Sequence, residues 1–220
     1  MGGYVGYSCI LFGDAVRKAG GQRYYCLERN PEFGAVIASL VNLAGLSDIV
    51  RVEIGSSDVS IKRLHKSGTL RGIDLMFLDH YKPAYKADLK LCEELGLIGP
   101  GSVLAADNVI RPGNPPYLEY VRSSVAEKRK AAGPSSGDTG PDLRFAERQV
   151  KQYARRGESE ALASSRGNAN LVYESQLIHS FEPTGEPVGA SSPDGDGEVL
   201  RANTFQDGIE ITRCVGEESE

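Results

Sequence analysis

Through its first half the chain alternates helix-period and β-rich segments separated by turn residues, and this alternation restricts the fold more than any other feature. From Tyr7 to Ala19 the residues Ile10, Leu11, Ala15, Val16 and Ala19 share one helical face, and Gly20-Gly21 stops the helix. Arg23 to Glu28 is a predicted strand. Asn30-Pro31 supplies an N-cap and a first helical position, and Val36, Ile37, Leu40, Val41 and Ala44 form an apolar stripe that ends at Gly45. The pattern then predicts a strand at 49–54, a helix at 58–66, a buried strand at 73–78, a helix at 83–95 and a strand at 102–106. Strands joined through helices of this length need crossover connections, which are right-handed and leave the strands parallel. The predicted class is α/β, with a mostly parallel, doubly wound sheet covered on both faces.

After Pro116 the rhythm changes. A helix is predicted from Tyr117 to Ala132, then a Gly/Ser/Pro stretch at 131–141 and a charged helical segment at 142–163. Leu171–Phe181 and Gly208–Cys214 read as two final strands, with the low-complexity segment GEPVGASSPDGDGE between them as an expected flexible loop. With 220 residues, 40% of them hydrophobic, one domain spanning 1–220 is expected, and 26 glycines with 11 prolines imply long loops around it.

The net charge of −5 is unevenly spread: residues 1–120 are neutral, 121–166 carry a basic excess and 174–220 an acidic one. No Lys/Arg run is long enough, or interleaved with aromatics, to track a nucleic-acid backbone, so these read as solvated faces and nucleic acid is not an expected partner. Cys9, Cys26, Cys92 and Cys214 lie far apart with no CxxC pair, which argues against a zinc site or disulfide framework and for reduced thiols. No apolar run reaches the roughly 18 residues of a membrane span, and the N-terminus lacks a signal-peptide pattern. The expectation is a cytoplasmic protein with no membrane partner.

In open α/β sheets ligands bind beyond the carboxyl ends of the strands. Three predicted strand ends here are acidic: Glu28, Asp79 and Asp107, the last followed by Asn108. Two carboxylates and an amide oxygen are hard donors that suit Mg²⁺. Lys82 follows Asp79 by three residues, and a lysine beside a divalent cation has its charged form disfavoured, which suits it to act as a base. Gly2-Gly3-Tyr4-Val5-Gly6-Tyr7-Ser8 is a glycine-rich turn opening a helix, whose N–H groups can face an anionic ligand. Glu28, one βα unit later, suits a ribose diol. His65 and His179 read as structural, whereas His80 stands between Asp79 and Lys82. No GxSxG elbow is present, which disfavours a covalent hydrolase.

In order and approximate spacing, GGYVGYS, CLERNPE, IGSSD, MFLDHYKPAY and LAADNVIRPGNP resemble the catechol O-methyltransferase family over most of residues 2–120. LDHYK with ADNVIRPG is the specific pair, since related cation-dependent O-methyltransferases share a metal Asp and an Asp-Asn but differ around them. The resemblance implies a Rossmann-like class I methyltransferase fold with a C-terminal antiparallel strand, using S-adenosylmethionine and Mg²⁺ on a small catechol. By position it implies that Gly3, Tyr4, Tyr7 and Ser8 border the methionine end of the cofactor, Glu28 binds the ribose hydroxyls, and Ser57 and His80 lie near the adenine. It further implies that Asp79, Asp107 and Asn108 hold Mg²⁺, that Lys82 takes the proton of the attacking hydroxyl, that Tyr81 forms an aromatic wall, and that Asn108 and Glu182 contact the substrate.

In the family several helices and a central first strand precede the glycine-rich turn, whereas this chain begins at the turn. The expectation is an N-terminally truncated chain, with unpaired backbone on the two strands that would flank the missing one. Segments 123–168 and 187–206 are expected to be flexible insertions, and the chain to be a monomer. Two functions follow: an active Mg²⁺-dependent catechol O-methyltransferase, or a truncated protein that keeps the motifs without productive cofactor binding. An NAD-dependent dehydrogenase is disfavoured because the turn is not GxGxxG.

Overall fold

A computed structural model describes residues 1–132, 145, 151, 165–179 and 207–219. Gly6, at φ 93°, turns the chain into α1 (Tyr7–Lys18), which buries Cys9 and Gly13 and ends at Ala19. β1 (Tyr24–Glu28) follows. Asn30 then caps α2 (Pro31–Leu43), its side chain accepting from the Glu32 and Phe33 amides, with Pro31 at the first helical position as the sequence predicts. β2 (Val50–Ile54), α3 (Ser57–Lys66), β3 (Leu75–Leu78), α4 (Ala84–Glu94) and β4 (Val103–Ala106) continue the alternation within a residue or two of the predicted bounds.

The predicted helix from Tyr117 to Ala132 is instead two helices, α5 (Pro115–Arg122) and α6 (Val125–Ala131). The chain breaks at Ser123-Ser124 because Ser124 and Glu127 form a reciprocal capping box that starts a new helix. β5 (Leu171–His179) and β6 (Gly208–Glu217) close the described structure. Apart from residues 145 and 151, the predicted helix at 142–163 lies outside the described residues, as does the segment GEPVGASSPDGDGE.

β1 pairs parallel with β2, and β3 parallel with β4; β6 then runs antiparallel beside β4, and β5 lies on its far side. The strands thus form two sheets, β1-β2 and β3-β4-β6-β5. Met1 and Gly2 bridge them: the Met1 amine donates to Phe77 O at 2.7 Å, Asp79 N donates to Met1 O at 3.1 Å, and Gly2 N donates to Leu27 O at 3.0 Å. Beyond that bridge a groove of about 680 Å³ runs between Tyr24, Tyr25 and Leu27 on one side and Leu75, Met76 and Phe77 on the other. The facing edges of β1 and β3 are unpaired along it among the described residues.

The core follows the same division. Leu78, Leu89, Leu104, Tyr85, Tyr117 and Val121 fill the larger cluster between β3-β4 and helices α4 and α5. Cys9, Cys26, Ile37, Val41 and Val50 fill a smaller one between β1-β2 and helices α1 and α2. All four cysteines are buried and free. Among the described residues no helix is long and apolar enough to cross a membrane.

Candidate active site

β3 and β4 are neighbours in register, Leu78 opposite Ala106, so Asp79 and Asp107 leave the sheet side by side. Asp107 N donates to Leu78 O at 2.9 Å and holds the two ends together. Asn108 then takes a left-handed backbone conformation, φ 57°, that an asparagine tolerates. Lys82 folds back into this edge. Its Nζ donates to Asp79 Oδ1 at 3.0 Å, Asn108 Oδ1 at 2.7 Å and the Tyr85 hydroxyl at 2.7 Å, and the residue is only 7% exposed. Asn114 Nδ2 donates to Lys82 O at 2.8 Å and fixes the lysine backbone as well.

The edge is electronegative despite Lys82. Burial holds the Asp107 carboxyl above its ordinary value, and the charges of Asp79 and Asp207 add to that rise; the Asn108 amide and Lys82 oppose it. Among the described residues no group of three or more His, Cys, Asp or Glu side chains gathers at metal-holding spacing. The set at this edge is smaller in carboxylates, Asp79 and Asp107 with the Asn108 amide oxygen, and an ammonium already draws two of its three members together. Hard oxygen donors with excess negative charge fit Mg²⁺.

The glycine-rich turn sits beside this edge. A Cβ on Gly2 would lie 2.2 Å from Asp79 O, and one on Gly3 would lie 2.5 Å from Cys26 Sγ, so the turn reaches the strand ends only with glycine there. Two of its N–H groups are engaged by a carboxylate of the chain itself. Gly3 N and Tyr4 N donate to Glu28 Oε2 at 2.9 and 3.0 Å, and Asn30 N donates to Glu28 Oε1 at 2.8 Å. The cause is the burial of Glu28, 8% exposed, because a buried carboxylate must be matched by donors. Oε1 keeps room for one further donor, which a ribose hydroxyl can supply.

Tyr4 and Tyr7 are exposed beside the turn, with Tyr4 edge-on to Phe33, and Ser8 is half-buried in the first turn of α1. Ser57 opens α3 at the next strand end. His80 is largely buried, its Nε2 2.8 Å from Asp88 Oδ2 and its ring stacked on Tyr85. Burial lowers its pKa against the pull of Asp88. His80 Nδ1 is buried without a hydrogen-bond partner among the described residues, a polar atom suited to meeting a ligand. Tyr81 is half-buried between His80 and Lys82, whereas Glu182 lies outside the described residues. His65 lies near the end of α3, and His179 is exposed at the end of β5, paired with Gly208 beside Asp207 at the same sheet edge.

Four residues of the edge were not singled out in sequence: Tyr85, Asp88, Asn114 and Asp207. Tyr85 and Asp88 lie on α4 within eight positions of His80, and helical spacing, three residues from Lys82 to Tyr85 and three more to Asp88, could have found them. Asp207 precedes β6, an antiparallel strand whose beginning meets the carboxyl ends of its parallel neighbours. Its Oδ2 accepts from Asn108 Nδ2 at 2.6 Å.

A family model described as a methyltransferase domain matches residues 1–109. The chain is 42% identical over 124 residues to catechol O-methyltransferase of Bos taurus, a match covering 56% of this chain and 45% of that protein. It is 41% identical over 128 residues to catechol O-methyltransferase B of Danio rerio, covering 58% of this chain and 48% of that one. It spans about half the length of these relatives. In structure it resembles the O-methyltransferase of Bacillus cereus in complex with S-adenosylhomocysteine, at a TM-score of 0.56 and 19% identity over 97% of this chain and 71% of that one. An O-methyltransferase of Streptomyces achromogenes involved in tomaymycin synthesis aligns at 0.54, also at 19% identity, over 98% of this chain and 71% of that one. Fold and strand-end edge together are those of a Rossmann-like α/β chain similar in structure to these O-methyltransferases. Within that class its sequence is catechol O-methyltransferase-like over the matched half.

Proposed function

We propose that residues 1–220 form one methyltransferase domain that transfers the methyl group of S-adenosylmethionine to a hydroxyl of a small catechol in the presence of Mg²⁺. The observation that carries this reading is the convergence of Asp79, Asp107, Asn108 and Lys82 at the adjoining ends of β3 and β4. Asp79, Asp107 and Asn108 are the residues that would hold Mg²⁺, and the bound ion supplies Lewis-acid polarisation and orientation of the diol. S-adenosylmethionine brings a methyl group that is already activated.

The chain's own residues supply the rest. Lys82, positioned by three acceptors, acts at Nζ as the base: its ammonium first releases one proton to solvent, and the free amine then takes the proton of the attacking hydroxyl. Tyr81 and Asn108 bound the substrate on the same side, and Glu182 is assigned to the second hydroxyl by sequence match. Gly3, Tyr4, Tyr7 and Ser8 form the border for the methionine end of the cofactor. The remaining acceptor capacity of Glu28 takes a ribose hydroxyl, and Ser57 and the open Nδ1 of His80 face the adenine. With a donor already activated, most of the acceleration comes from orienting two bound reactants.

Asp79→Ala tests this assignment. It is expected to abolish Mg²⁺-dependent turnover while leaving S-adenosylmethionine affinity, measured by calorimetry, nearly unchanged. Retained turnover would remove Asp79 from the metal set.

A further inference from the structure

The two ends of an asparagine amide have nearly the same shape and opposite hydrogen-bonding character, so Asn108 could offer the site either an oxygen or an NH₂ group. Its neighbours settle which. Nδ2 donates to Asp207 Oδ2 at 2.6 Å, and Oδ1 accepts from Lys82 Nζ at 2.7 Å. An ionised carboxylate only accepts, so the end facing Asp207 is the NH₂ group and the end facing the site is the oxygen. Turning the amide over would set its oxygen against the carboxylate and its NH₂ against the ammonium.

Asp207 is itself held. Its Oδ1 accepts from Gly208 N at 2.8 Å and from Arg111 N at 3.3 Å, which ties it to the start of β6 and to the turn after β4. When the Asn108 oxygen is given to a metal instead of to Lys82, Asp207 is the contact that still fixes the amide. We propose that Asp207 is a positioning residue: it orients Asn108 so that the amide oxygen faces the cation. The proposal rests on the Mg²⁺ reading above, and it assigns to the last strand a part in arranging a site built on β3 and β4.

Exchanging the two side chains gives a test that a merely structural role would not pass. In Asp207→Asn, the new amide oxygen keeps the Gly208 and Arg111 N–H groups, so its NH₂ turns towards Asn108. Asn108 must then flip and show its own NH₂ to the site. Adding Asn108→Asp restores an acceptor facing Asn at 207 and returns an oxygen to the site with the total charge unchanged. Mn²⁺ binding to the 220-residue chain, followed by electron paramagnetic resonance, is expected to weaken about tenfold to a hundredfold in Asp207→Asn. In the double variant it should return to within about threefold of the parent.

Unchanged Mn²⁺ affinity in Asp207→Asn would overturn the proposal, as would a double variant no better than the single one. If Asp207→Asn does not fold, the double variant carries the test, since it must fold and bind. A second readout separates this claim from the metal reading. The Asn108 side-chain amide protons, recognised in nuclear magnetic resonance by their loss in Asn108→Ala, should exchange slowly in the parent and fast in Asp207→Ala without any metal. A parent chain that bound no Mn²⁺ would refute the metal reading, and the exchange result would then decide the orientation; equal exchange rates would overturn it.

Discussion

The Lys82 ammonium and the Asn108 amide oxygen, 26 positions apart in the chain, meet at 2.7 Å across the ends of β3 and β4. With Asp79 and Tyr85 this contact occupies all three ammonium donors and fixes a long, rotamer-rich side chain in one direction. The arrangement exists only because β3 and β4 are adjacent parallel strands.

Lys82→Met keeps the length of the stem and removes the base. On the proposed mechanism turnover falls by about 10²- to 10⁴-fold, the usual contribution of a positioned proton acceptor. Cofactor affinity should hold, since no cofactor residue contacts Nζ. Single-turnover kinetics with calorimetry reads both, and full activity in this variant would remove Lys82 from the chemistry.

Glu28 links β1 to the glycine-rich turn through the Gly3 and Tyr4 amides and accepts from Asn30 N as well. Glu28→Ala leaves those N–H groups without their charged acceptor and should cost roughly 2 kcal/mol of stability, with a larger loss in S-adenosylmethionine affinity because the turn loosens. Denaturant unfolding with and without the cofactor checks the pair of effects. Equal affinity in variant and parent would show that the turn does not depend on Glu28.

A pH-dependent term sits away from the active edge. The Glu93 carboxylate accepts from the Tyr120 and Tyr173 hydroxyls, each at 2.5 Å, and from Asn168 N at 3.0 Å. Burial nevertheless holds its pKa above the ordinary 4.5, with those hydrogen bonds opposing the rise. The folded state therefore binds this proton more tightly than the unfolded state. The stabilisation is fully present below 4.5 and is lost as pH rises from there through the raised folded value. Glu93→Gln should flatten that part of the stability curve, measured by denaturant unfolding between roughly pH 4 and pH 8. Curves that fall in parallel for parent and variant would assign the loss to other groups.

Arg122 on α5 grips Glu210 on β6 through two bonds of 2.7 Å, and Glu210 is fully buried. Arg122→Ala strands a buried carboxylate and should destabilise by about 3 kcal/mol, at the low end of the range for a broken buried pair because the arginine is half exposed. Replacing both partners, Arg122→Met with Glu210→Met, should cost less than Arg122→Ala alone. Unfolding midpoints for the three chains give the comparison, and a double variant worse than the single one would contradict it.

The alternation of the first half was readable because each helix carries its own stop and start signals: Gly20-Gly21 after α1, and Asn30-Pro31 before α2. The acidic strand ends were readable for a related reason, since parallel strands gather their carboxyl ends on one edge. Asp207 escaped because it begins an antiparallel strand, to which that rule does not apply. The break between α5 and α6 escaped although its signal, Ser124-x-x-Glu127, stands in the sequence; the apolar period running through it outweighed the cap. Occupation of Glu28 by the turn's own amides could not be read at all, because it depends on how closely Gly3 approaches β1.

Mg²⁺-dependent methyl transfer by this chain is open to direct measurement. The direct measurement is transfer of label from S-adenosylmethionine to a simple catechol by the purified 220-residue chain, first with Mg²⁺ and then with excess chelator. The account predicts a methylated catechol with Mg²⁺ and none with chelator. Transfer that continued undiminished in chelator, or no transfer under either condition by a folded chain that binds both Mg²⁺ and S-adenosylmethionine, would contradict it.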